Sequence, residues 1–408
     1  MTNVRKISGF PEWLPAEKLL EDRVIEVIRG IYESHGFTPI ETPAVELLST
    51  LASKGDIQKE IYTLSRLQAD PEELEQEDAE SKLALHFDLT VPFARYVALH
   101  FNELQFPFRR YQLQKSWRGE RPQEGRYREF AQFDIDIIAR DQLPLSCDAE
   151  ILTVICKVFE ALSLGDFVLR LNNRKLLMGY YDSLGLSAEQ REATITAVDK
   201  LHKIGTEGVQ AVLAQELGLA NDLVERVLKL ARICVDLGEC ESALTVLKNV
   251  DNDLCQEGRN ELLTLRKLIP EDFWNYVELD LSIARGLDYY TGTIVETFLK
   301  GHESFGSLCS GGSYADLASR FTRQKLPGVG VSIGLTRLMA LIIKEGLLEL
   351  AGSCPTRALV TVMSEDTRPL SNSVAEILRK RGVSTEVFFK SPKLGKQIDY
   401  ADRKGIHY

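Results

Sequence analysis

The chain has 408 residues, 44% of them apolar and 27% charged, and a formal net charge of −11. That composition is globular, the length exceeds one ordinary core, and two or three domains are expected. The acidic balance argues against broad coating of nucleic acid but leaves room for a local basic site. No apolar run approaches membrane-spanning length, and the N-terminus lacks a secretory h-region. The seven cysteines occur singly, without C-x-x-C or zinc-ligand spacing, which suits free thiols in a reducing cytosol.

Residues 1–15 form a turn-rich entry. Leu19, Leu20, Val24, Val27, Ile28 and Ile31 then recur at helical spacing, predicting a helix that ends at His35-Gly36. Phe37 to Pro43 reads as a short strand with edge prolines, and Glu60 to Leu67 as another. The acidic stretch ADPEELEQEDAESK has no periodicity and reads as a solvated loop. In Leu83 to His100 a strand hands over to a helix through Asp88-Leu89-Thr90. These residues stand either as a helix cap or as ligand contacts.

Pro107 to Asp136 is the most informative stretch. The alternating run Arg109–Leu113 and the return run Phe130–Ile138 predict an antiparallel hairpin. Its loop carries Arg118, Glu120, Arg121, Gly125, Arg126 and Arg128. Guanidinium groups donate paired hydrogen bonds to phosphate oxygens, so an arginine-rich rigid hairpin suits a polyphosphate. A helix follows from about Cys147 to Leu162.

From Asn172 to about Pro270 the pattern is helical throughout, over Arg174–Leu184, Ser187–Lys203, Gly208–Leu217, Ala220–Leu237, Glu241–Val250 and Glu257–Leu268. No strand is expected there, and the region reads as a helical insertion. The run ending at Ala284 and the run Tyr289–Phe298, joined through Arg285-Gly286-Leu287-Asp288, predict a second hairpin. Paired glycines in GSLCSGGSYADL allow close backbone approach. GVGVSIGLTRLMAL predicts a strand feeding a helix with Arg337 in its first turn. A cation there opposes the helix dipole, and an anion bound at that end explains both the glycines and the arginine. Beyond a linker at Ala351–Thr356, a β-α-β-α pattern runs to Gly405-Ile-His-Tyr. Two strands are marginal as a sheet, which reads as an incomplete domain.

LHFDLTVPFARYVA, FRRYQLQKSWRGERPQEGRYREFAQFDIDI, ARGLDYYTGTIVE and GVGVSIGLTRL occur in that order. Together they resemble a class II aminoacyl-tRNA synthetase, specifically the histidyl-tRNA synthetase family, from about Gly9 to the last residue. The resemblance implies an α+β fold: a six-stranded antiparallel sheet flanked by helices, a helical insertion and a C-terminal α/β anticodon-binding domain. The division is 1–171 for the first part of the catalytic core, 172–272 for the insertion, 273–350 for the second part and 351–408 for the short C-terminal domain. It further implies a cytoplasmic homodimer, with Gly30–Pro43 in the interface, that acts on ATP, Mg²⁺, L-histidine and tRNA(His).

The site residues implied by the resemblance are specific. Arg118 and Arg285 meet the α-phosphate and Arg337 the γ-phosphate. Phe130 stacks on adenine and Glu120 receives its amino group. Asp88, Leu89, Thr90 and Gln132 surround the amino and carboxylate groups of histidine. Asp136 and Tyr290, with Tyr289 beside them, read the imidazole. Arg121 and Arg126 meet the tRNA acceptor end. No side-chain metal site is expected. The chain departs from the family at Ser313 and Ala315, where GGRYD is usual, and at Thr336, where an acidic residue usually precedes the motif 3 arginine. The alternative is a histidine-sensing, synthetase-like regulatory subunit of ATP phosphoribosyltransferase, which has no chemical need for three phosphate-directed arginines.

Overall fold

A computed structural model describes residues 4–52, 60–68, 80–284, 290–315, 318, 321–350 and 352–408. The chain forms two compact units, Met1–Pro11 with Gly30–Leu341, and Glu12–Arg29 with Ile342–Tyr408. Helix α1 (Pro15–Ser34) places proline in its first turn and buries Leu20, Val24, Ile28 and Tyr32 at i, i+4 spacing. It ends as its sequence predicts, with Gly36 at φ +76° where a side chain would be strained.

The larger unit is built on a nine-stranded sheet of order β1-β5-β6-β12-β11-β10-β7-β9-β8. Its strands are β1 (Thr38–Pro39), β5 (Phe108–Trp117), β6 (Glu129–Ile138), β7 (Phe167–Asn173), β8 (Cys234–Asp236), β9 (Val277–Asp280), β10 (Thr293–Leu299), β11 (Cys309–Tyr314) and β12 (Gly328–Gly334). The six strands from β5 to β7 in that order are mutually antiparallel. β1 adds in parallel to β5 at one edge, and β9 in parallel to β7 near the other. A second sheet of order β2-β4-β3 joins β2 (Val45–Leu47), β3 (Thr63–Leu64) and β4 (Leu83–Leu85).

Alternation gives the large sheet two unlike faces. Phe133, Ile135 and Ile137 of β6 are fully buried on one face, which helix α3 (Leu145–Leu162) packs across β6, β7 and β12. On the other face β5 presents Arg110, Gln112, Gln114 and Ser116, in register with Asp136, Asp134, Gln132 and Phe130 of β6. Helix α2 (Thr90–Leu99) contributes Phe93 and Val97 to a cluster with Ile138 and Tyr314.

Between β7 and β9 lie helices α4 (Arg174–Ser183), α5 (Ala188–Val198), α6 (Leu201–Ala211), α7 (Asn221–Ala231) and α8 (Asp253–Leu268). Two sequence expectations fail in this region. The helix expected over Ser187–Lys203 divides near Asp199, and the one expected over Ala220–Leu237 stops at Ala231. There Cys234–Asp236 becomes β8 and pairs with β9. The β-branched pair Ile233 and Val235 favours strand once an edge is available, so tertiary pairing overrides helical periodicity. The second hairpin also fails: β9 and β10 do not pair with each other but flank β7. The expected turn, residues 285–288, and residue 289 after it lie outside the described residues.

In the smaller unit, β13 (Ala358–Val360) pairs in parallel with β14 (Thr385–Val387). Helices α10 (Arg368–Lys380) and α11 (Leu394–Lys404) follow the two strands, and α9 (Leu335–Glu345) precedes them in the chain. The final residues do begin a third pairing: Leu359 N–H donates to the Tyr408 carbonyl at 2.6 Å, and Tyr408 N–H to the Arg357 carbonyl at 3.2 Å.

Candidate active site

The polar face of the sheet, the β5–β6 loop and the start of α9 bring the sequence-expected residues together. Arg118 leaves the end of β5, donates Nε to the Phe87 carbonyl at 3.0 Å, and holds its guanidinium 5.0 Å from the Phe130 ring centroid. Arg337, in the first turn of α9, donates Nε to the Gly125 carbonyl at 2.8 Å and Nη1 to the Ser307 carbonyl at 2.5 Å. The first bond ties it to the hairpin loop and the second to the segment between β10 and β11. Burial depresses the Arg337 pKa, and the charges of Arg126 and Arg118 depress it further. Three guanidinium groups therefore converge, an arrangement that a polyphosphate relieves. Glu120 sits 3.8 Å from Arg126, and Arg121 is exposed on the loop.

Next to the cations lies a set of acceptors. Asp88 Oδ1 accepts from the Val91 N–H at 3.2 Å, so it supports the first turn of α2 as a cap would. Its Oδ2 is buried and accepts nothing among the described residues. Burial raises the Asp88 pKa, opposed by the Val91 N–H and the Arg118 charge. Gln132 donates to Ser332 Oγ at 2.8 Å, and its Oε1 is likewise buried without a partner among the described residues. Leu89 is fully buried, and Thr90 opens the helix. Such acceptors fit an ammonium group.

Asp136 is held from two sides. Arg110 Nη2 lies 2.7 Å from its Oδ2, and the Tyr314 hydroxyl donates to its Oδ1 at 3.0 Å. Gly330 of β12 lies directly against it, and a Cβ there would fall 1.9 Å from Asp136 Oδ1. Burial pushes the Asp136 carboxyl up to about 6 and that of Asp134 up to about 7, against the pull of Arg110 on both. Tyr290 packs beside Gly312 and Tyr314. Arg285 and Tyr289 lie outside the described residues.

Sequence reasoning missed Arg110, Asp134, Tyr314 and Ser332. The signal was strand parity: Arg110 alternates with Tyr111 and Leu113, which places it on the face of Gln112 and Gln114. Two of the three departures from the family, Ser313 and Thr336, have local explanations, and nothing in the structure explains Ala315. Ser313 points to the helix-covered face of the sheet, where its hydroxyl donates to Asp148 Oδ1 of α3. Thr336 Oγ1 accepts the Ala131 N–H at 2.7 Å, tying α9 to β6. Among the described residues no cluster of His, Cys, Asp or Glu has the makings of a metal site.

The histidyl-tRNA synthetase family matches residues 9–338, and the anticodon binding domain family matches 357–408. A histidine–tRNA ligase of Thermobifida fusca (strain YX) is 47% identical over 402 residues, covering 98% of this chain and 90% of the relative. The crystal structure of histidyl-tRNA synthetase from Nostoc sp. PCC 7120 matches with a TM-score of 0.87 at 40% identity, over 100% of this chain and 90% of that one. An ATP phosphoribosyltransferase regulatory subunit/histidyl-tRNA synthetase from Bacillus halodurans C matches with a TM-score of 0.76 at 20% identity, covering 97% of this chain and 96% of that one; this likeness is one of fold. With the class II hairpin, the converging arginines and these matches together, the chain belongs to the histidyl-tRNA synthetase family.

Proposed function

We infer that this chain is a histidine–tRNA ligase. It activates L-histidine with ATP and then transfers the histidyl group to the terminal ribose of tRNA(His). A histidine carboxylate oxygen attacks the α-phosphorus, the bond to the bridging oxygen breaks, and diphosphate leaves. The ribose hydroxyl then attacks the acyl carbon and AMP departs. Negative charge builds on phosphate oxygens in the first step, so cations fixed beforehand lower its barrier.

The observation that carries this reading is the convergence of Arg118, Arg126 and Arg337 beside the unpartnered acceptors of Asp88 and Gln132. Arg118 and Arg285 are assigned to the α-phosphate and Arg337 to the γ-phosphate. Phe130 is assigned to stack on adenine and Glu120 to receive its amino group. The ammonium goes to Asp88 and Gln132 with Leu89 and Thr90 around it, and the imidazole to Asp136 and Tyr290 with Tyr289 beside them. Mg²⁺ would enter with ATP, where it neutralises phosphate charge. Phosphate oxygens and water would supply most of its ligands, since Mg²⁺ gives up its hydration reluctantly. Arg121 and Arg126 are assigned to the acceptor end of the tRNA.

Histidine-dependent ATP–pyrophosphate exchange tests the reading. Robust exchange also excludes the histidine-sensing regulatory alternative, which the likeness to the B. halodurans fold keeps in view. A homodimer is proposed as the working form, with β1 and its flanks in the interface. Both β1 residues are exposed, and analytical ultracentrifugation checks the assembly. Residence in the cytoplasm, where tRNA is charged, is proposed with it and is checked by fractionation.

A further inference from the structure

We propose that Arg110 is a positioning residue for amino-acid recognition: buried beneath the site, it fixes Asp136 as a charged, singly oriented acceptor for a ring N–H of the substrate. The proposal rests on the reading of Asp136 as the imidazole acceptor. Arg110 is 0% exposed, yet its guanidinium is not spread over the protein at large. It lies 2.7 Å from Asp136 Oδ2, 3.9 Å from Asp134 Oδ2 and 3.2 Å from Gln112 Oε1, and it stacks 4.2 Å from the Phe93 ring centroid. The Phe93 ring covers one side of the fork, and the acceptors of β5 and β6 line the other. Tyr314 occupies the other oxygen of Asp136, and Gly330 removes the side chain that would otherwise fill the space beside it. A carboxylate offers about four lone-pair positions. Tyr314 takes one on Oδ1 by a hydrogen bond and Arg110 faces Oδ2 as an ion pair, which leaves acceptor positions for a ligand.

A merely structural ion pair would look different. Buried pairs add little to stability over apolar residues of the same size. Here one buried arginine faces two buried carboxylates. Asp134 Oδ1, Asp88 Oδ2 and Gln132 Oε1 all lack partners among the described residues. The groups facing Asp136 are Arg110 from β5, Asp134 from β6, Tyr314 from β11 and Asp88 ahead of α2; β12 presents the uncharged Gly330. These unpartnered acceptors fit a substrate that brings an ammonium and ring N–H donors.

The test is ATP–pyrophosphate exchange with separate kcat and KM for histidine and for ATP. Asp136→Asn tests the underlying reading and raises the histidine KM; an unchanged value sinks that reading and the proposal with it. The paired change Arg110→Met/Asp134→Asn removes one charge of each sign and so spares the fold an unbalanced buried carboxylate. It raises the histidine KM on the order of tenfold to a hundredfold, the range for a reacting or recognition group displaced by about an ångström, and leaves the ATP KM alone. Adding Asp136→Asn to the pair costs no more than Asp136→Asn by itself. If Asp136→Asn is damaging while the pair leaves the histidine KM at wild type, the assignment of Arg110 fails and the reading of Asp136 stands. Equal rises in both KM values, or multiplicative effects of the pair and Asp136→Asn, also overturn it. Should the pair not fold, Arg110→Lys carries the test, because it keeps the charge and loses the planar fork. It then raises the histidine KM severalfold, and no rise refutes the proposal.

Discussion

Gly330→Ala is the smallest change that perturbs the amino-acid end of the site. The new Cβ would lie 1.9 Å from Asp136 Oδ1, 2.4 Å from its Cγ and 2.9 Å from the Ile135 carbonyl oxygen. Ordinary contact begins at 3.4 Å, so the carboxylate must move by about 1.5 Å (3.4 − 1.9). Arg110 holds it at 2.7 Å, and a retreat of that size along the pair would carry it past the 4 Å limit of an ion pair. Overpacking costs about 1–3 kcal/mol, and loosening a buried pair adds to it, for a total on the order of 2–5 kcal/mol. The expected result is a clearly lower Tm and a histidine KM raised more than the ATP KM. Thermal unfolding and pyrophosphate exchange on the purified variant read both. A variant with the wild-type Tm and histidine KM would refute the placement of Asp136 against β12.

The remaining predictions concern charge. Arg337→Met lowers exchange by about 10²–10³, the usual loss for one donor to a developing anion. The unliganded Tm falls less than two lost carbonyl bonds suggest, because Arg118 and Arg126 no longer repel a third cation; stabilisation of the protein by ATP disappears, and a thermal shift with and without ATP checks this. For Asp134 the sign is fixed by its folded pKa of about 7, raised above the ordinary carboxylate value of 3.8. The folded state holds the extra proton between those values, so this residue's contribution is full at low pH and is lost as pH rises through about 7. Asp134→Asn therefore flattens the fall in stability over that window, read as Tm against pH for both proteins. Arg121→Ala lowers tRNA charging more than exchange and reduces the salt dependence of tRNA binding.

The hairpin of β5 and β6, α1 with its glycine stop and the strand-to-helix passage at Asp88 were legible because each rests on local periodicity or turn chemistry. β8 and the order β10-β7-β9 were not, because strand partners are chosen by long-range pairing that a single sequence does not encode locally. The same division runs through the site. Arg118 and Arg337 were legible as cations at the ends of elements. Arg110 was hidden inside a strand, where only its register opposite Asp136 gives it a role. Tyr314 was hidden for the same reason, its partner lying 178 positions away in the chain.

The family departures show how the same geometry constrains charge. Where the family usually carries an arginine, Ser313 meets Asp148 on the helix-covered face with a hydroxyl alone. Burial raises the Asp148 pKa, with the hydrogen bond from Ser313 pulling it down. An arginine there would require an ionised partner, whereas a hydroxyl is compatible with either protonation state. Thr336 replaces an acidic residue and accepts the Ala131 N–H. A carboxylate at that position would add negative charge beside Arg337, weakening the cationic end toward phosphate while strengthening its own bond to the amide. Both departures therefore remove formal charge yet keep a hydrogen bond that joins two elements. They leave the convergent arginines and the unpartnered acceptors as the groups that set the field around the substrates.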